Sequence, residues 1–159
     1  MNYIIIFHKP DFYELMLKIA GKISNQTSIR KYGEELESEL YISSVLDRDQ
    51  YVYIHSPRVL VVEECYDPCD VEEVLKLVKE PNKLMASNIE YKEYDILHEA
   101  LQIISENAKE CYIDNDFGTI LSVCDFVKKW SDNPDWNWIY DLDDKDSDSR
   151  GVLRKSCKD

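Results

Sequence analysis

Leu40-Tyr41-Ile42-Ser43-Ser44-Val45-Leu46-Asp47-Arg48-Asp49-Gln50-Tyr51-Val52-Tyr53-Ile54-His55 decides the fold. Apolar residues alternate from Leu40, with Leu40, Ile42 and Leu46 assigned to one face, and the alternation returns at Tyr51 to His55. Period-two patterning on both sides of the polar stretch Asp47 to Gln50 predicts two strands joined by a turn, an antiparallel hairpin. The apolar run Val59 to Val62, after Pro57, predicts a third strand of the same sheet.

Working outward, Tyr3 to Phe7 is a β-branched and aromatic run that predicts a buried strand. Pro10 precedes Asp11, and Glu14 follows three residues later, the spacing of a capping box. Phe12, Leu15, Met16, Ile19, Ala20 and Ile23 then recur at helical spacing, predicting a helix over 12–24. Asp70 and Glu73 repeat the capping signal ahead of a helix over 71–79 that Pro81 closes. Residues 84–93 suit strand or helix equally. Ile96, Leu97, Ala100, Leu101 and Ile104 predict a helix from Asp95 to near Asn107. Cys111 to Ile113 and Thr119 to Leu121 flank turn formers and predict a hairpin; Ser122 with Asp125 then caps a helix bearing Val123, Phe126, Val127 and Trp130.

Strands and helices do not alternate regularly, and neighbouring strands are joined by short turns. The predicted class is therefore α+β, a mainly antiparallel sheet with helices packed on one face. At 159 residues one core suffices, so a single domain is expected over 1–142, followed by a polar tail over 143–159. The composition, 44% hydrophobic with eleven tyrosines and four glycines, is that of a folded chain.

Charge bounds the partners. The net charge is −13, and residues 61–149 hold twenty-three acidic against eight basic residues, while residues 1–60 are nearly balanced and the last ten are net basic. A field of that sign repels nucleic acid and anionic membrane and attracts a basic protein. No apolar stretch reaches the length of a membrane span, and the start, Met1-Asn2-Tyr3-Ile4-Ile5-Ile6-Phe7-His8, lacks the basic residues and longer apolar run of a signal peptide. Five scattered cysteines fit a reducing, cytoplasmic setting.

Motifs for chemistry are sparse. Cys65 and Cys69 stand four apart, but structural zinc needs a second pair, and Cys111 and Cys124 are thirteen apart; two ordinary thiols are the simpler reading. Asp144, Asp146 and Asp148 have the spacing that opens a calcium loop, yet Ser149 and Lys155 stand where that loop needs Gly and Glu. No nucleophile elbow occurs, and the glycines never cluster into a phosphate loop. Glu63 and Glu64, placed at a strand end, would point apart. No cofactor and no metal is expected.

Two stretches read as interaction surfaces. Asp132 to Tyr140 interleaves aromatics with carboxylates and continues into Asp141, Asp143 and Asp144, the composition of a binding hot spot, unless Trp136 and Trp138 seal the core. Asp114 to Asp116 fall at the tip of the second hairpin, exposed on that reading, although turn chemistry alone accounts for them. The candidate partner-binding set is Asp114, Asp116, Trp136, Asp141 and Asp143.

Tyr112-Ile113-Asp114-Asn115-Asp116-Phe117-Gly118, then Ser122 and Phe126, then Pro134-Asp135-Trp136 resemble immunity proteins of bacterial polymorphic toxin systems, including contact-dependent growth inhibition. The resemblance implies a small, cytosolic, non-enzymatic protein that binds and blocks one toxin domain made by the same strain. It brings no catalytic residues and names no toxin. Charge agrees, because nuclease toxins must bind phosphate and are basic around the active site. The expected partner is a cognate basic toxin domain, with a regulatory or adaptor domain as the alternative and a small cysteine- or glutamate-dependent enzyme after it.

Overall fold

The structure, a computed structural model, describes residues 2–32, 37–115, 118–136 and 138. The elements in chain order are β1 (Asn2–His8), α1 (Phe12–Lys22), β2 (Gln26–Tyr32), β3 (Glu37–Ser43), β4 (Tyr51–Val59), α2 (Val62–Cys65), α3 (Pro68–Leu77), a 3-10 turn (Pro81–Lys83), β5 (Met85–Tyr91), α4 (Tyr94–Asn107), β6 (Tyr112–Asp114), β7 (Ile120–Ser122) and α5 (Val123–Asp132). Among the described residues seven strands form one sheet in the order β2-β3-β4-β5-β1-β6-β7. Every pairing is antiparallel. The α+β class expected from the hairpin stands.

Alternation divides the sheet into two unlike faces. Ile4, Ile6, Leu40, Ile42, Val52, Ile54, Ile89 and Ile113 point to one of them and are fully buried. The apolar stripes of α1, α4 and α5 cover this face, with Met16, Ile19, Leu97, Leu101 and Phe126 in the same core. On the opposite face Phe7, Ala86 and Ile120 pack under Val62, Val74 and Val78 of the α2–α3 segment, forming a second core. The helices are thus shared: three on one face, and the α2–α3 pair on part of the other. β1 lies between both cores, which is why Tyr3 to Phe7 reads as an unbroken apolar run instead of an alternating one.

Several elements depart from expectation for physical reasons. Val59 to Val62 is not a third strand. β4 itself runs on through Pro57, past a register shift between His55 and Arg58. Ser56 there takes a left-handed φ of 56°. A bulge tolerates proline because a ladder hydrogen bond is already missing. The chain then turns at Leu60 into α2, and the apolar residues Leu60 and Val62 are buried beneath α3. Leu46 does not share the face of Leu40; it is 96% exposed in the β3–β4 connection.

The ambiguous segment 84–93 forms β5, which pairs with β1 along its whole length and with β4 on its other side. β2 has no counterpart in the expectation, because it is an edge strand in which Ile29 is the one described side chain packed against the core. α3 starts at Pro68, three residues before the predicted helix, so Asp67 is the residue before the helix and Asp70 lies in its first turn. Asp11 makes no side-chain cap; the Glu14 amide donates to the Asp11 carbonyl at 3.0 Å. The last predicted cap is present, with the Asp125 amide donating to Ser122 Oγ at 3.1 Å.

Candidate functional site

The predicted partner-binding residues do not meet on one surface. Asp114 ends β6 and is 4% exposed, not at an open hairpin tip. It faces the α2–α3 side, opposite Ile5 and Ile120, and its carboxylate accepts a hydrogen bond from the Tyr66 hydroxyl in the link between those helices. Its work is to tie the α2–α3 segment to the sheet. Next to it, Asn115 Nδ2 donates to the Trp138 carbonyl at 2.7 Å, and Asn115 Oδ1 accepts from the Thr119 amide at 2.9 Å. These bonds close the hairpin and hold the tryptophan segment against the fold. Trp136 is 4% exposed, packed on Phe126 at 5.2 Å with the Lys129 ammonium 4.8 Å over its ring. Trp138 meets Tyr91 and Trp130 at 5.4 and 5.5 Å. Both tryptophans seal the core, the alternative to a binding hot spot for this stretch. Asp116, Asp141, Asp143 and the tail over 143–159 lie outside the described residues.

A cavity of about 410 Å³ lies between the start of α1 and the end of α4, lined by His8, Phe12 and Cys111 among others. His8 stacks on Phe12 with ring centres 3.8 Å apart. Its Nδ1 donates to the Lys9 carbonyl at 2.8 Å, which leaves Nε2 to accept from the Ser87 hydroxyl at 2.7 Å. Burial pushes the imidazole down to about 4, while burial pushes the Cys111 thiol up to about 12. Both groups are neutral at pH 7, and the histidine nitrogens are engaged elsewhere than on sulfur. Neither the lowered thiol pKa nor the free base of a cysteine nucleophile is present in this cavity.

Among the described residues no group of three or more His, Cys, Asp or Glu could hold a metal ion. Cys69 is disulfide-bonded, against the expectation of two ordinary thiols, while Cys65, Cys111 and Cys124 are free. Glu63 and Glu64 stand in the first turn of α2, both exposed.

The sheet offers a different site. On the α2–α3 side, β3, β4 and the Glu90 end of β5 lie outside the second core, which takes Ala86 from the other end of β5, and tyrosines line this part. Register places Tyr41 opposite Tyr53, Tyr53 opposite Glu90, and Glu90 opposite Tyr3, one row across four adjacent strands. Tyr41 stacks on Tyr51 at 5.4 Å and meets Tyr53 edge-on at 5.9 Å, and Tyr53 meets His55 edge-on at 4.5 Å. Carboxylates fix these rings: the Tyr53 hydroxyl donates to Glu39, and His55 Nε2 lies 3.2 Å from Glu90. Loss of water around its hydroxyl, reinforced by the Glu90 carboxylate that accepts from it, raises the Tyr3 pKa. Partial burial beside Tyr51 raises that of Tyr41 as well. The result is a rigid, half-buried aromatic surface with polar tips, suited to contact a protein because each ring offers area without many rotors to freeze.

Beside it lies the acid. Residues 62–77 hold six carboxylates and one lysine. Glu63, Glu64, Asp67 and Glu72 are exposed along the α2–α3 segment, and Lys76 pairs with Glu72 and Glu73 at 3.6 and 3.3 Å. The aromatic half and the acidic half occupy the same side of one sheet. The signal for the aromatic half was present in Tyr51-Val52-Tyr53-Ile54-His55, where the residues alternating with Val52 and Ile54 are aromatic. These rings are the complement of the apolar face that marks the strand.

No protein-family model matches the chain, and no curated protein and no solved structure matches it. No described helix is long and apolar enough to cross a membrane.

Proposed function

We propose that this chain is a non-enzymatic acidic immunity protein that binds a cognate basic toxin domain, a nuclease, and covers its substrate surface. One observation carries the reading: a sheet face whose exposed half is a tyrosine platform and whose covered half is an acidic helical layer. Acidic residues on the rim steer a basic partner and speed encounter, and fully desolvated aromatic rings hold it once docked. The contact surface in this reading is Tyr41, Tyr51, Tyr53 and the outer side of α2–α3, in place of Asp114 and Trp136.

The test is to mix the purified chain with the toxin domain encoded beside its gene, then follow binding and nuclease activity over a range of salt. Binding near nanomolar affinity, loss of nuclease activity and a slower on-rate at high salt are expected. Replacing Glu63, Glu64 and Glu72 by Gln should lower the on-rate and flatten the salt dependence while leaving the off-rate nearly unchanged. Absence of binding, or binding without inhibition, overturns the proposal.

A further inference from the structure

We infer that the platform contains a seat for one arginine side chain of the partner, formed by Glu90 with Tyr53, Tyr3 and His55. The inference rests on the proposed binding role and specifies its chemistry. Glu90 is the carboxylate in the tyrosine row, directly opposite Tyr53 in β4 and Tyr3 in β1. With strands about 4.8 Å apart, the two tyrosine backbones stand about 10 Å apart across it. Glu90 itself stands between them, so a planar guanidinium is seated over its carboxylate from the solvent side, against a ring face at the usual contact distance of about 3.5–4 Å.

Glu90 receives His55 Nε2 at 3.2 Å and the Tyr3 hydroxyl. An ionised carboxylate has about four acceptor positions, so the same pair of oxygens can take a guanidinium edge as well. The tyrosine faces of this molecule already hold cations: Lys31 lies 4.8 Å from the Tyr13 ring centre and Lys92 lies 5.5 Å from that of Tyr51. Arginine is favoured over lysine because it stacks and binds a carboxylate with two parallel bonds, whereas an ammonium does neither. A nucleic acid is the wrong occupant, since Glu39 and Glu90 would face its phosphates. The seat therefore takes a protein side chain and selects it by shape as well as charge.

The experiment compares two pentapeptides, Gly-Arg-Gly-Arg-Gly and Gly-Lys-Gly-Lys-Gly, titrated into the isotope-labelled full chain and followed by amide and tyrosine-ring NMR signals. The arginine peptide should bind about three-fold more tightly. Its shifts should centre on Tyr53, His55 and Glu90, and they should vanish in Glu90→Gln, a variant of nearly the same shape whose remaining spectrum shows that it is folded. Equal affinity for the two peptides, shifts confined to the acidic residues of α2–α3, or an unchanged response in Glu90→Gln would each overturn the seat. Failure here with toxin binding intact rejects the seat alone, whereas failure to bind the toxin rejects the immunity role.

Discussion

Acid should weaken this protein through His8 before most of its carboxylates titrate. The imidazole is buried on a strand end, stacked on Phe12 and bonded to Ser87, and burial lowers its folded pKa from 6.5 to about 4. The Lys9 carbonyl and the Asp11 carboxylate pull the other way and are outweighed. Between those two pH values the unfolded chain holds a proton that the folded chain does not, so stability rises with pH and is lost as pH falls. The contribution is complete above about pH 6.5 and is withdrawn progressively toward pH 4. At about 1.4 kcal/mol per pH unit the full loss is about 3 kcal/mol, and at pH 5 it is already about 2 kcal/mol. For a chain of this length, that corresponds to a fall in Tm of about 4–8 °C. Urea denaturation at pH 7.5 and pH 5 should show this loss as a lower midpoint with an unchanged slope. His8→Gln removes the titration, so its stability should fall by about 2 kcal/mol less over the same interval, whatever its starting stability. An NMR titration of the His8 ring in the native chain should give a midpoint near 4. Identical pH dependence in the variant, or a midpoint above 6, refutes the reasoning.

Three further outcomes follow from contacts described above. Tyr66→Phe takes a donor from the buried Asp114 carboxylate and should cost about 1.5–3 kcal/mol in urea denaturation; a change within about 0.5 kcal/mol would show that the bond does not anchor α2–α3. Ser122→Ala removes the cap of α5 and should cost about 1 kcal/mol, recovered largely by Ser122→Asp, which restores an acceptor; equal loss in both would point to packing instead of capping. Ile89→Ala opens a cavity at a fully buried position of the strand between β4 and β1 and should cost about 2–5 kcal/mol, with faster amide exchange in β1 and β4 together; exchange confined to β5 would contradict the central place of that strand.

The hairpin and the helices were legible because their burial is one-sided. Leu40, Ile42, Val52 and Ile54 enter one core while their neighbours face away, and the stripe of α4 from Ile96 to Ile104 is buried along one side, so period and burial coincide. β5 was not legible for the opposite reason. It is covered by helices on one face and bordered by the platform on the other, and Ser87 and Asn88 interrupt its apolar pattern to serve His8 and Arg58. β2 hid because an edge strand buries almost nothing. The site was half legible. Charge located an acidic second half, and α2–α3 displays part of it, but residue type alone does not place Asp114 and Trp136: the Tyr66 hydroxyl satisfies the Asp114 carboxylate inside the fold, and Trp136 is held there by packing on Phe126 beneath Lys129, its indole N–H without a hydrogen-bond partner among the described residues.

The position of β1 carries a consequence for how the chain is made. Its two neighbours, β5 and β6, come from residues 85–91 and 112–114, so β1 leaves the ribosome before either of its partners and stays unpaired until β5 has followed it. Ile4, Ile6 and Phe7 must wait in a nascent chain that cannot bury them, and loops of this length close slowly. The β2–β3–β4 meander is a part of the sheet able to form early from local pairing. The tyrosine surface belongs to that early part in β3 and β4, whereas Glu90 and Tyr3 join it only when β5 enters between β4 and β1. The complete surface therefore exists only once β5 has joined β4 to β1, and a translation product that ends before Glu90 presents the rings without the row that binds.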